Sequence, residues 1–444
     1  MRTRFTSSRV LTILTLSLAA FLLISADGDA KQKGLNSDAL AELSTAGVDK
    51  YLGMASVSVV EDDIGGGWTR HTFDPEYDQT GTPNGPACIA GTPYSVLTKA
   101  GDPDKLLIFL QGGGACWQNF YQCNIAAEAQ NGPRPPFGVF DSSDPDNPFA
   151  DYSIVYMPYC DGSAFGGDND VLDGSFPFGP VRFHRGVQNL SAGMDVAGAT
   201  FPLVKKMKIT VMGHSAGGVG VAAFAPFLTR FVYGNGPDLT VFNDAGPIAV
   251  NLGSPPAPFC NFNPLDFSCL SVLARASDWN FAQFYPQSCI LDGRCNPFGQ
   301  QTGIIDWRLD NDSTIREAFY ETDADGTNRF FAQGDGTRMD PLVYRDLILT
   351  EHGALHDAHK KRYKRFIVSG DNTHGGVQGT AGSRDDANND CFPPRPDLFY
   401  TQEANGVLLN EWTREFVLNG DGGSQFGWKD IVEDYVEVDC PLQP

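Results

Sequence analysis

Basic residues are scarce in this sequence: 32 lysines and arginines stand against 54 aspartates and glutamates, for a formal charge of −22. So acidic a chain repels phosphate backbones and anionic lipid, which argues against nucleic acid as a partner. Histidine is rarer still, at seven residues. No HExxH, no CxxC and no Cys/His spacing suited to zinc occurs, and no lysine follows a glycine-rich turn at P-loop spacing. With those signatures missing we expect no cofactor and no metal. Internal repeats and low-complexity tracts are absent as well. Past the N-terminal stretch, no apolar run is long enough to cross a bilayer of about 30 Å, so stable membrane insertion is not expected.

What is present begins with a targeting signal. Arg2, Arg4 and Arg9 precede an uncharged apolar run from Val10 to Ile24, and the small residues Ala26, Gly28 and Ala30 follow. Residues 1–30 read as a signal peptide, which places the mature chain in a secreted setting, extracellular or periplasmic. Ten cysteines in an oxidising compartment point to disulfides. Cys116 and Cys123, Cys260 and Cys269, and Cys289 and Cys295 are close enough in sequence to staple loops. Asn189-Leu190-Ser191 and Asn311-Asp312-Ser313 are glycosylation sequons, of use only in a eukaryotic secretory route.

Apolar runs alternate with helical patterns along the rest of the chain. Strands are expected at Lys105–Leu110, Ser153–Pro158, Met207–Met212, Leu239–Asn243, Gly303–Leu309 and Arg365–Ser369. Helices are expected at Val187–Ala199, Gly217–Val232, Ser313–Tyr320, Pro341–Lys361 and Val407–Leu418. Residues 50–100 suggest antiparallel strands at one edge. The class is α/β: a mainly parallel central sheet with helices on both faces, like an α/β-hydrolase. The stretches 130–150, 255–300 and 376–398, rich in Pro, Gly, Asp and Cys, read as insertions. Residues 31–444 then form a single catalytic domain.

The sharpest motif is Gly213-His214-Ser215-Ala216-Gly217, which follows an apolar strand and opens a small-residue helix. That is the setting of a nucleophile elbow, with Ser215 at the strand's end under the positive pole of the helix. His214 is poorly placed to act as its base, because adjacent side chains on such a turn diverge. A second glycine cluster, Gln111-Gly112-Gly113-Gly114, ends an earlier strand. Its glycines let a substrate carbonyl approach backbone N–H groups, and we expect Gly113, Gly114 and Ala216 to form an oxyanion hole.

In this fold the acid and then the base follow the serine. His374, in a loop just past the last expected strand, is the base candidate. His352, His356 and His359 recur on one helix face among Glu351, Asp357, Lys360 and Lys361, which reads as a solvated face. Past the expected strand at 303–309, both Asp310 and Asp312 suit a triad acid, and Asp312 is favoured. A helix N-cap is the structural alternative for it. Asp323-Ala324-Asp325-Gly326-Thr327-Asn328 lacks the distal glutamate of a calcium loop and reads as a solvated turn.

Phe109-Leu110-Gln111-Gly112-Gly113-Gly114-Ala115-Cys116-Trp117, Gly213-His214-Ser215-Ala216-Gly217-Gly218 and Asn243-Asp244-Ala245-Gly246 together resemble the pectin acetylesterase and Notum carboxylesterase family. The resemblance implies a Ser215–Asp312–His374 triad, oxyanion donors at Gly113, Gly114 and Ala216, and an acyl-enzyme route. It also implies an ester substrate, an acetylated extracellular polysaccharide such as pectin. Gln111 stands where the family usually carries an acidic residue. Two other readings compete: a lipase-like or polyester esterase, and a non-catalytic carbohydrate-binding protein that has kept the fold.

Overall fold

Leu106–Leu110 is buried at every position, as a strand covered on both faces must be. The computed structural model describes residues 34–54, 59–73, 76–79, 82–126, 137–246, 277–295, 301–333, 337–378, 397–418 and 427–437. Residues 1–30, the Cys260 and Cys269 pair, and much of the three expected insertions lie outside them. Among the described residues the sheet has ten strands. In chain order they are β1 (Val59–Gly65), β2 (Trp68–Phe73), β3 (Tyr94–Lys99), β4 (Asp102–Leu110), β5 (Tyr152–Met157), β6 (Lys208–His214), β7 (Asp238–Asp244), β8 (Arg316–Thr322), β9 (Tyr363–Val368) and β10 (Ile431–Val432). Across the sheet the order is β1-β2-β3-β5-β4-β6-β7-β8-β9-β10. The first three strands and the β3–β5 pair are antiparallel; every pair from β5 onward is parallel. One swap, β5 before β4, precedes a steady march in one direction. This is the α/β-hydrolase arrangement.

Side chains alternate between two apolar layers. Leu106, Ile108, Leu110, Ile209, Val211, Leu239, Val241 and Phe319 face one layer. There they meet helices α1 (Gly186–Thr200), α2 (Ala216–Ala222), α3 (Ala225–Tyr233), α4 (Gln301–Asn311) and α6 (Pro341–Ala358). Leu107, Phe109, Met212, Phe242, Tyr320 and Phe366 face the other, packed on Trp412 and Phe416 of α7 (Leu409–Val417). A short helix, α5 (Gly326–Gln333), follows β8. Among the described residues no single helix is long and apolar enough to cross a membrane.

Two expected elements exchange places. Residues 303–309 lie in helix α4, and the expected helix 313–320 is largely strand β8. A short apolar run does not distinguish strand from buried helix, and 303–309 is such a run. In β8 the apolar pattern is broken by Arg316, Glu317 and Glu321, all of them buried. Arg308 neutralises one of these charges through paired 2.7 Å bonds to Glu317.

Disulfides join Cys116 to Cys123 and Cys289 to Cys295, as expected, and also Cys88 to Cys160. Asn189 is fully buried, and its amide exchanges two 3.0 Å bonds with the Ala87 backbone. Glycosylation there would require unfolding α1.

The face bearing His352, His356 and His359 is not solvated. His352 stacks on Phe319 with centroids 3.7 Å apart, and its Nδ1 lies 2.6 Å from the Tyr363 hydroxyl. His356 Nδ1 reaches the Tyr363 carbonyl at 2.9 Å, and His359 Nε2 lies 2.8 Å from Asp306. The three rings dock α6 onto β9 and α4. Burial, aided by the Arg365 charge, lowers the pKa of His352 to about 3. An unfolded histidine takes up its proton near pH 6.5, at about the ordinary value. The unfolded chain therefore holds the extra proton between those limits, and stability falls as pH drops through that window. His352→Gln should lessen the acid slope by up to about 1.4 kcal/mol per pH unit. Urea unfolding at a series of pH values checks this, and an unchanged slope would contradict it.

Candidate active site

Loops at the C-terminal ends of the parallel strands β4, β6, β8 and β9 meet at one place, where open α/β sheets gather their ligands. The loop after β6 carries Ser215 at φ 53° and ψ −119°, a conformation unusual for any residue but glycine. Two features hold it there. Ser215 N donates to the Asp244 carbonyl of β7 at 2.8 Å, and helix α2 begins at the next residue. Both motif glycines are required by close approach. A Cβ on Gly213 would overlap the Gly217 carbonyl, and one on Gly217 would overlap the Leu110 carbonyl.

The loop after β4 brings Gly112, Gly113 and Gly114 beside the serine. A Cβ on Gly112 would come within 2.9 Å of Ser215 Cβ and of the His214 ring. Gly114 sits at φ +76° and starts a hairpin, Gly114–Trp117 with Phe120–Cys123, closed by the Cys116–Cys123 disulfide. Gly113 and Gly114 line the same cavity as Ser215, and Ala216 is the first residue of α2, where backbone N–H groups lack helical acceptors.

His374 lies in the loop after β9, and its Nδ1 is 2.7 Å from Asp325 Oδ2. Asp325 is fully buried. It caps α5, Oδ1 accepting from Asn328 N at 2.7 Å, while Asn328 Nδ2 donates to Oδ2 at 3.0 Å. Two backbone bonds, Ala324 N to Asp371 O and Gly326 N to Asn372 O, and one from the Thr322 hydroxyl to Thr373 O zip its loop to the histidine loop. The Asp323–Asn328 segment is thus a packed structural loop rather than a solvated turn.

The carboxylate expected beside His374 was that of Asp312, and the structure puts it elsewhere. Asp312 precedes β8, at the opposite end of the sheet from His374. A seven-residue strand separates those ends by roughly 20 Å. Its Oδ2 accepts from Arg230 Nε at 2.7 Å, and its Oδ1 accepts from Thr314 and Ile315 N–H groups. It is a buried ion-paired turn residue. Asp310 is exposed and bonded to Arg294 at 2.6 Å. Asp325 escaped sequence reasoning because the exchange of helix and strand moved the end of β8. With β8 ending at Thr322, an acid just past a strand points to Asp323 or Asp325.

His214 does not stack away from the site. Its ring fills the gap between Gly112 and Gly375, its Nδ1 lies 2.9 Å from Asp244 Oδ2, and its centroid is 4.8 Å from that of His374. Asp244 also accepts from Gly376 N at 2.9 Å, so it fixes the histidine loop to the elbow.

A cavity of about 570 Å³ opens over Ser215 and His374. Tyr121 and Gln122 of the hairpin, with Asn124 just past it, form one wall, and Thr327, Phe330 and Phe331 of α5 another. Arg338 adds a cation. The size suits a small-molecule ester or one sugar unit with its substituent. Among the described residues no cluster of metal-binding side chains occurs.

The strand order is that of the α/β-hydrolase fold class. Residues 78–247, which include the glycine loop, the elbow and Asp244, match the model of the pectinacetylesterase family. The chain resembles that family over those residues. Among solved structures it is similar to the Wnt deacylase Notum from Drosophila, with 14% identity, a TM-score of 0.49, and coverage of 80% of this chain and 96% of that one. Comparison with curated proteins gives no match.

Proposed function

We propose that the protein is a serine ester hydrolase working through an acyl-enzyme, with Ser215 as nucleophile, His374 as base and Asp325 as the triad acid. The observation that carries this reading is a serine on a strained turn sharing a cavity with a histidine whose Nδ1 is committed to a buried carboxylate. With Nδ1–H donated to Asp325, Nε2 is left to take the Ser215 proton. Ser215 Oγ attacks the ester carbonyl, and the oxyanion is held by N–H groups of Gly113, Gly114 and Ala216. His374 passes the proton to the departing alcohol, then activates the water that releases the acid.

The substrate we favour is the acetyl ester of an extracellular polysaccharide such as pectin, met after export and removal of residues 1–30. Residues 31–444 act as one catalytic domain. Arg338 supports this reading, since it places positive charge beside a polymer bearing carboxylates. Phe330 and Phe331 on the cavity wall favour a second reading, a longer acyl chain. A fluorophosphonate probe should label the native enzyme at Ser215 and leave Ser215→Ala unlabelled. Nitrophenyl esters from acetate upward, with acetylated pectin and xylan, separate the two substrate readings. An unlabelled native protein, inert on every ester, would leave a carbohydrate-binding module instead.

A further inference from the structure

Behind Asp325 lies a second carboxyl group. Glu321, one residue from the end of β8, is fully buried, as Asp325 is. Asn328 Nδ2 lies 3.1 Å from Glu321 Oε2 and 3.0 Å from Asp325 Oδ2, so one amide bridges both. Two buried carboxyl groups thus face a single amide. The Tyr344 hydroxyl from α6 donates to Oε2 at 3.1 Å, and Thr322 N donates to Oε1 at 3.0 Å.

A dry pocket does not sustain two adjacent negative charges, so one of two buried carboxyl groups that share an amide keeps a proton. Among the described residues, the donors to Glu321 are Asn328, Tyr344 and Thr322, none of them a cation. Arg329 of α5 directs Nε and Nη1 to the carbonyls of Met339 and Ala324. Tyr320 and Tyr344 are buried phenols, held neutral by desolvation. Asp371, across the histidine loop, is a further acid. On the triad reading His374 Nδ1–H, 2.7 Å from Asp325 Oδ2, donates to Asp325, which makes Asp325 the anion of the pair.

We propose that Glu321 is a positioning residue: a neutral carboxylic acid that donates its proton to Asp325 and fixes the orientation in which Asp325 holds His374. The proposal rests on the reading of Ser215, His374 and Asp325 as a triad. Burial, and then the neighbouring Asp325 charge, push the Glu321 carboxyl well above the usual range. The site thereby presents one negative charge to the imidazole rather than two.

The test uses Glu321→Gln and Glu321→Leu in the full-length enzyme, with kcat and KM followed across pH. Glutamine keeps a donor and the neutral charge, so activity should stay within about threefold and the acid limb of kcat/KM should not move. Leucine cannot donate, so kcat should fall at least about tenfold with KM nearly unchanged. Were Glu321 an anion, Glu321→Gln would shift the acid limb down by about one pH unit, and that shift would overturn the proposal. So would full activity in Glu321→Leu. If the leucine variant does not fold, infrared spectroscopy decides. The native protein at neutral pH should show the carbonyl stretch of a buried protonated acid that Glu321→Gln lacks. Identical spectra would refute the neutral acid. The Ser215→Ala protein should keep the band, so failure of the triad reading is seen separately.

Discussion

Asp325→Asn is expected to lower kcat by about 10⁴ while leaving the fold in place. Asparagine is as good an N-cap as aspartate, so α5 should keep its start. The chemistry should not survive the change. An amide NH₂ in place of the carboxylate turns toward His374 Nδ1 and favours the tautomer with its proton on Nε2, which cannot accept from Ser215. KM should change little, because Asp325 lies behind the cavity rather than in it. Asp312→Ala makes the contrast. Removing that carboxylate leaves the Arg230 guanidinium buried and unpaired, a loss of about 3–5 kcal/mol in stability. Any protein that still folds should turn over substrate at a near-native rate. Circular dichroism with denaturant titration, alongside initial rates, separates the two outcomes. An inactive but stable Asp312→Ala with an active Asp325→Asn would return the acid to Asp312.

The two residues also mark how far the sequence could be read. The elbow was legible because its chemistry is local. A strand, two glycines that close approach demands and a helix start all fall within a few residues of Ser215. The glycine loop was legible for the same reason, and His374 because β9 is an ordinary apolar strand. Asp325 depends on where β8 ends, and β8 hides its register behind buried charges. Arg316, Glu317 and Glu321 look like solvent-facing residues, yet their partners Asp238, Arg308 and Asn328 come from β7, α4 and α5. The histidines of α6 misled in the same way. Interleaved lysines and acids suggested water, while Tyr363, Phe319 and Asp306 from other elements cover the rings. In each case the missing information is a long-range partner, which local pattern does not carry.

Ser215→Ala and His374→Ala should each lose about 10⁶ in kcat, and the double variant should lose no more than either alone. The reason lies in the division of labour. Without Nε2 to take its proton the serine hydroxyl is a weak nucleophile, and without the serine the imidazole has nothing to activate. The residual rate in all three would come from the Gly113, Gly114 and Ala216 N–H groups and from binding in the cavity, about 10³–10⁴ over water. His214→Ala provides the control that keeps this assignment distinct. His214 also pairs with an aspartate and sits against the same cavity, so a dyad of Ser215 with His214 would reverse the ranking of the two histidines. The nucleophile's own neighbour cannot reach back around the φ 53° turn to its hydroxyl, whereas His374 arrives from a separate strand. His214→Ala should therefore keep most of kcat, with a modest loss from the gap opened between Gly112 and Gly375. Rates additive across Ser215→Ala and His374→Ala, or a His214→Ala enzyme as inactive as Ser215→Ala, would each break the proposed triad.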